Sequence, residues 1–252
     1  MDAPAPRTSG RPLLLGHRGC RGAFTENTFA AFDHALASGC DGFEFDVRLT
    51  ADQQAIIWHD AVINRIHIGL ETYDVCLKQC MSSRRNLSST GPRIELCLLE
   101  QVIARYAARA FLNIELKVPG AEQLTTDLCR AHNAQRVVVS SFLREVVTRL
   151  HALAPDIPVG FIFDTREGLR RWRELPTTHL MPHHKLLTQA AIDDMHAAGR
   201  QVFAWSANDP RRMKRLAEWG IGGLISDDPV LLGNTLGGKE VVNTQRVPRG
   251  TL

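Results

Sequence analysis

The stretch Gly42-Phe43-Glu44-Phe45-Asp46-Val47, followed within a few residues by Ala51-Asp52-Gln53-Gln54 and then Ala55-Ile56-Ile57-Trp58-His59-Asp60, decides the architecture. In the first run apolar residues alternate with Glu44 and Asp46, so a strand's two-residue period sends both carboxylates to one face and the apolar side chains to the other. The second run, Ala55–Trp58, begins too soon to be a parallel neighbour, because a parallel crossover takes about a dozen residues or more. It is expected to fold back as a hairpin and bring His59 to the end where the first run stops.

Outward from that stretch, short apolar runs alternate with amphipathic ones, the pattern of βα units. Strands are expected at Leu13–Gly16, Gly42–Asp46, Phe111–Leu116, Arg136–Ser140, Pro158–Ile162, Thr178–Met181, Gln201–Trp205 and Gly223–Ile225. Helices are expected around 28–38, 121–132, 143–153, 188–198 and 209–218. Eight staves with helices between them predict one domain over 1–252, a single (β/α)8 TIM barrel of the α/β class. Between about 60 and 97 the periodicity fades into a polar, cysteine-containing stretch, read as a small insertion over the C-terminal mouth. The segment 237–252 is poor in apolar residues and is read as a flexible tail.

The chain has 252 residues, 44% of them hydrophobic, enough for a sizeable core. Its 30 basic residues against 27 acidic give a net charge of +3, too even for a nucleic-acid footprint. The six cysteines, at 20, 40, 76, 80, 97 and 129, lack the paired spacing of a zinc site and are read as reduced, buried thiols. Met1 to Pro12 offers no apolar signal segment, and no later run is long enough to span a bilayer. A cytoplasmic protein without stable membrane insertion is the expectation.

A barrel concentrates its chemistry at the C-terminal ends of its strands. Glu44 and Asp46 point inward there, and Asn113-Ile114-Glu115-Leu116-Lys117 repeats the spacing on another stave. Buried carboxylates that converge repel one another, so a positive partner is required. Buried salt bridges with Lys117 or Arg18 would answer for any one acid. The repetition on two strands favours a metal site of Glu44, Asp46 and Glu115, and oxygen-only donors suit Mg2+ or Ca2+.

His17 and His59 each end a strand, where an imidazole can exchange protons near neutrality. Arg18 offers a planar fork for phosphate and Lys117 a mobile ammonium, although Arg18 could equally brace its loop and Lys117 simply pair with Glu115. Trp205 could floor a substrate pocket or belong to the core. Asn27 and Thr28, with Glu26, stand before an apolar run as a helix cap. His183 and His184 carry no assignment, and Cys20 is read as an inert buried thiol.

Taken together, His17-Arg18-Gly19, Glu26-Asn27-Thr28, Glu44-x-Asp46-Val47, Thr50-x-Asp52, His59-Asp60 and Ile114-Glu115-Leu116-Lys117 resemble the signature of the glycerophosphodiester phosphodiesterases. Ser140-Ser141-Phe142, Trp205-Ser206-Ala207-Asn208-Asp209 and Gly223-Leu224-Ile225-Ser226-Asp227-Asp228-Pro229 continue the likeness in order along most of the chain. The resemblance implies metal-dependent hydrolysis of glycerophosphodiesters to glycerol 3-phosphate and an alcohol. His17 and His59 would be the acid–base pair, Glu44, Asp46 and Glu115 the ligands of Mg2+ or Ca2+, and Arg18 and Lys117 the phosphate contacts. Two departures, Thr25 in place of the common proline and Ser206-Ala207 in place of Thr-Val, are expected to leave the chemistry untouched. Alternatives are a lysophospholipase D acting on single-chain lipids and a barrel that binds phosphodiesters without turnover.

Overall fold

In chain order, β1 (Leu13–Gly16) leads through α1 (Phe29–Ala37) to β2 (Gly42–Leu49), and β3 (Ala55–Ile57) returns beside it. A small ribbon, β4 (Val62–Ile63) and β5 (Ile66–His67), precedes α2 (Tyr73–Met81) and α3 (Leu99–Tyr106). Strand–helix units follow as β6 (Phe111–Leu116), α4 (Glu122–Ala131), β7 (Val137–Ser141), α5 (Arg144–Leu153), β8 (Val159–Phe163) and α6 (Arg166–Arg171). The chain continues with β9 (His179–Pro182), α7 (Gln189–Ala197), β10 (Gln201–Ala204), α8 (Pro210–Glu218), β11 (Gly223–Ser226) and α9 (Pro229–Leu236). This computed structural model describes residues 10–82 and 95–237. Most of the tail expected from residue 237 onward, and the polar stretch 83–94, lie outside the described residues.

The eight parallel strands close into a barrel in the order β1, β2, β6, β7, β8, β9, β10, β11, with β11 pairing back onto β1. As the short separation requires, β3 is antiparallel, pairing Val47 with Ile57 and Leu49 with Ala55. The expected strands match these eight, with ends displaced by up to three residues.

Most staves separate two apolar layers, whereas β2 turns Glu44 and Asp46 inward. Phe43, Phe45 and Val47 of β2 belong to the large cluster between barrel and helices, where Phe32 of α1 stacks on Phe43 at 4.2 Å between ring centroids. Leu15, Val138, Ile162, Met181, Phe203 and Ile225 form a smaller cluster, the alternate set of barrel residues. All six cysteines are buried and none forms a disulfide.

The stretch after His59 is more regular than its composition suggests. Ile63, Ile68, Cys76, Cys80 and Leu96 pack on Ile56 of β3 as a satellite core. Asp52, at the hairpin turn, accepts the Thr50 hydroxyl at 2.6 Å and the Tyr73 backbone N–H at 2.9 Å. The insertion thereby braces the hairpin that delivers His59. Among the described residues no helix is long and apolar enough to cross a membrane.

Candidate active site

Strand register assembles the acids. Asp46 lies opposite Glu115 and Glu44 opposite Asn113 across the β2–β6 pair. One carboxylate oxygen from each of Glu44, Asp46 and Glu115 lies within 4.8 Å of the others, and the three residues are 3%, 0% and 6% exposed. Lys117, two residues beyond Glu115 on the same face, places Nζ 2.9 Å from Asp46 Oδ1 and also pairs with Glu115. Arg18 donates its backbone N–H to Glu44 Oε2 at 2.9 Å, while its Nε lies 3.1 Å from Asp46 Oδ2.

Two positive groups do not fully offset three buried carboxylates. Burial, with repulsion from Asp46 and Glu115, holds the Glu44 carboxyl well above its usual range. Burial and Asp46 push Glu115 to about 7. Asp46 is drawn below its usual value despite its burial, because Lys117 and Arg18 face it and the Asn27 amide donates to it at 2.9 Å. Glu44 Oε1 is buried with no hydrogen-bond partner. An orphaned carboxylate oxygen beside two others is what a hard cation's donor set requires, so the residues fit Mg2+ or Ca2+.

His17 follows β1, in a loop that glycine makes possible: a Cβ on Gly16 would sit 1.9 Å from the Gly19 carbonyl oxygen, and Gly19 has φ +79°. His17 Nδ1 lies 2.5 Å from Asp227 Oδ1 and 3.2 Å from the Ser206 hydroxyl. Although burial works against it, the bond to His17 and the Asn208 amide at 2.5 Å hold Asp227 at about 2, hence ionised. An ionised carboxylate only accepts, so Nδ1 carries the proton and Nε2, 3.7 Å from Glu44 Oε2, is left for chemistry. His59 Nδ1 likewise lies 2.7 Å from Asp60 Oδ1. Burial, partly countered by Asp46, lowers the His59 pKa, so its imidazole is neutral near pH 7.

His17, Arg18, Glu44, His59, Glu115 and Lys117 all line one cavity of about 130 Å3, with Trp205 and Phe142 on its apolar side. Asp46 lies just behind it. Trp205 donates its indole N–H to the Met181 carbonyl at 2.8 Å and meets Phe142 edge-on at 5.5 Å, which fixes it as a wall. Arg18 and Lys117 brace their neighbours, as one of their readings expected, and both also line the cavity. His183 touches Trp205 edge-on at 5.2 Å but is not among the lining residues.

Three expectations need correction. Thr28 alone caps α1, accepting the Ala31 N–H at 3.3 Å, whereas Asn27 adopts φ 60° and spends its amide on Asp46. Glu26 bonds Arg18 at 2.6 Å and Arg21 at 2.7 Å, outside any cap. Ser206, read as remote from the chemistry, contacts the His17 ring. Asp227 and Asn208, given no role from sequence, orient that ring, and their only signal was a place inside the Trp205–Asp209 and Gly223–Pro229 motifs.

A (β/α)8 barrel whose C-terminal mouth joins a carboxylate triad, two oriented imidazoles and two cationic side chains in one cavity has a site suited to a phosphate ester. The chain belongs to the glycerophosphoryl diester phosphodiesterase family, whose model matches residues 17–231. It is 29% identical over 235 residues to a glycerophosphodiester phosphodiesterase of Bacillus altitudinis, covering 86% of this chain and 94% of the relative. It is 26% identical to the lysophospholipase D GDPD1 of Rattus norvegicus, covering 86% and 84%. A phosphodiesterase of Oleispira antarctica, solved with the product sn-glycerol-3-phosphate, superposes with a TM-score of 0.72 at 25% identity, covering 89% of this chain and 96% of that one. The protein is a phosphodiesterase on a TIM barrel.

Proposed function

We propose that the protein hydrolyses glycerophosphodiesters to glycerol 3-phosphate and an alcohol, with a divalent cation held by Glu44, Asp46 and Glu115. The observation that carries this reading is the meeting of those carboxylates with His17 and His59 around one cavity. Mg2+ or Ca2+, when bound, would polarise the phosphodiester and neutralise charge on its oxygens. Arg18 and Lys117 orient the phosphate from the same wall, acting as a fork and a point charge.

His59, neutral near pH 7, accepts the proton of the attacking hydroxyl: water gives glycerol 3-phosphate directly, whereas the substrate's own glycerol hydroxyl gives a cyclic phosphodiester that a water molecule then opens. His17, held through Nδ1 by Asp227, presents Nε2 as the proton donor to the leaving alcohol. Trp205 and Phe142 keep the apolar side of the cavity dry. The same residues are the basis for reading the chain as one catalytic barrel domain.

Purified protein given glycerophosphocholine with Mg2+ or Ca2+ is expected to release glycerol 3-phosphate, and EDTA to stop it. Hydrolysis that survives EDTA would refute the metal assignment. Absence of turnover across a panel of diesters would leave a binding barrel, and turnover restricted to lysophospholipids would match the activity in the rat relative's name.

A further inference from the structure

A second cleft, of about 190 Å3, opens beside the reaction cavity and shares Phe142 and Ile162 with it. It lies at the C-terminal ends of β7 and β8, so it continues the mouth and does not form a separate site on the barrel's flank. The reaction cavity is small, and its cationic groups stand on the β1–β2–β6 side. A diester bound there by its glycerol phosphate must extend its alcohol elsewhere, and the shared Phe142 marks the direction. Phe142 is 37% exposed, with Lys117 Nζ 5.8 Å from its ring centroid.

Two arginines and two acids line the second cleft, and Glu174 beside it adds a third acid to their ion pairs. Arg144 is tied to Glu174 at 2.7 Å. Arg171 is tied to Glu174 at 2.8 Å and to Glu167 at 3.1 Å. Both guanidinium groups are therefore already matched by carboxylates. Asp164, exposed at the end of β8, lines the cleft and has no ion pair among the described residues. An acyl chain entering here would have to desolvate that carboxylate and the neighbouring ion pairs, which is unfavourable. A compact cation would meet an unmatched carboxylate and the accessible ring of Phe142.

We infer that this cleft is the alcohol subsite of the reaction, and that Asp164 with Phe142 selects glycerophosphodiesters whose alcohol carries an ammonium group, such as choline or ethanolamine. The inference rests on the hydrolytic function proposed above. Asp164 acts on specificity, through the substrate's far end, and takes no part in proton transfer.

The test compares kcat/KM for glycerophosphocholine with that for glycerophosphoglycerol, a neutral-alcohol diester of similar size, in the wild type and in Asp164→Asn. The wild type should favour glycerophosphocholine, and the ratio of the two constants should fall about threefold to tenfold in the variant, mostly through KM for the cationic substrate. Asp164→Lys should lower the ratio further. A wild-type ratio near one, or a ratio the same in Asp164→Asn, overturns the subsite while leaving hydrolysis established. Release of no glycerol 3-phosphate from either diester overturns the hydrolytic function and the subsite with it. Because Asp164 is exposed, both variants should keep the wild-type melting temperature, which separates loss of selectivity from loss of fold.

Discussion

The two faces of β2 obey opposite rules within one run of five residues. On the outer face, Phe43 and Phe45 are fully buried, and Phe43 meets Phe32 in a stack at 4.2 Å and Tyr106 edge-on at 4.9 Å. On the inner face, Glu44 and Asp46 share a small space with Glu115, and Glu44 keeps an oxygen without a hydrogen-bond partner. Burial stabilises the first face roughly in proportion to apolar area removed from water. The second face gives stability up, since desolvated carboxylates that repel one another oppose folding. A strand can do both because its period is two: the fold is secured outward and the chemistry is strained inward, with no residue serving both ends.

Substitutions should therefore separate the faces. His17→Ala and His59→Ala, on the cavity side, should each lower kcat/KM about 10^2- to 10^4-fold with little change in melting temperature, measured by glycerol 3-phosphate release and calorimetry. An active His59→Ala enzyme would break the acid–base pairing. Phe43→Ala, on the outer face, should destabilise by about 3–5 kcal/mol in denaturant unfolding while the folded fraction keeps its KM. Asp227→Asn keeps the shape of the group that orients His17 and should lower kcat about 10- to 100-fold with the fold intact; an unchanged kcat would mean that the 2.5 Å contact does not set the ring.

The smallest effect is a pH dependence. Glu115 is raised to about 7 from an ordinary 4.5, so the folded protein binds its proton more tightly than the unfolded chain does. Stability linked to this group is then unaffected below about 4.5 and falls as pH rises toward 7. In EDTA, wild type should lose stability relative to Glu115→Gln across that window, then run parallel to it above. Added cation should reverse the loss, more at pH 8 than at pH 5. A wild-type minus variant difference that is flat with pH would contradict the strain assigned to the inner face.

Much of the frame was legible in the sequence because it rests on local spacing. The four residues between Thr50 and Ala55 rule out a crossover, and inward acids at 44, 46 and 115 need only a period of two. Helices α2, α3, α6 and α9 were not expected: α3, α6 and α9 run eight residues or fewer, and α2 lies in the polar stretch read as an insertion. For α9 a start signal was present in Asp228-Pro229, with Asp228 accepting the Leu231 N–H at 2.8 Å. The partners of the groups lining the cavity were the hardest to see. Asp227 reaches His17 across 210 positions, a contact created by β11 pairing with β1 at barrel closure. Asn27 stands where a capping residue would, and nothing local distinguishes an amide that caps a helix from one that turns back to a carboxylate on β2. Ser206 was read as a departure that leaves the chemistry untouched, yet its hydroxyl ends 3.2 Å from the His17 imidazole.

The most direct test of the inner face is calorimetric titration of Ca2+ or Mg2+ into EDTA-stripped protein, in wild type and in Asp46→Asn. The account predicts one cation per chain in the wild type and loss of that binding in the variant with its fold retained. Equal binding in both, or none in the wild type, would contradict it.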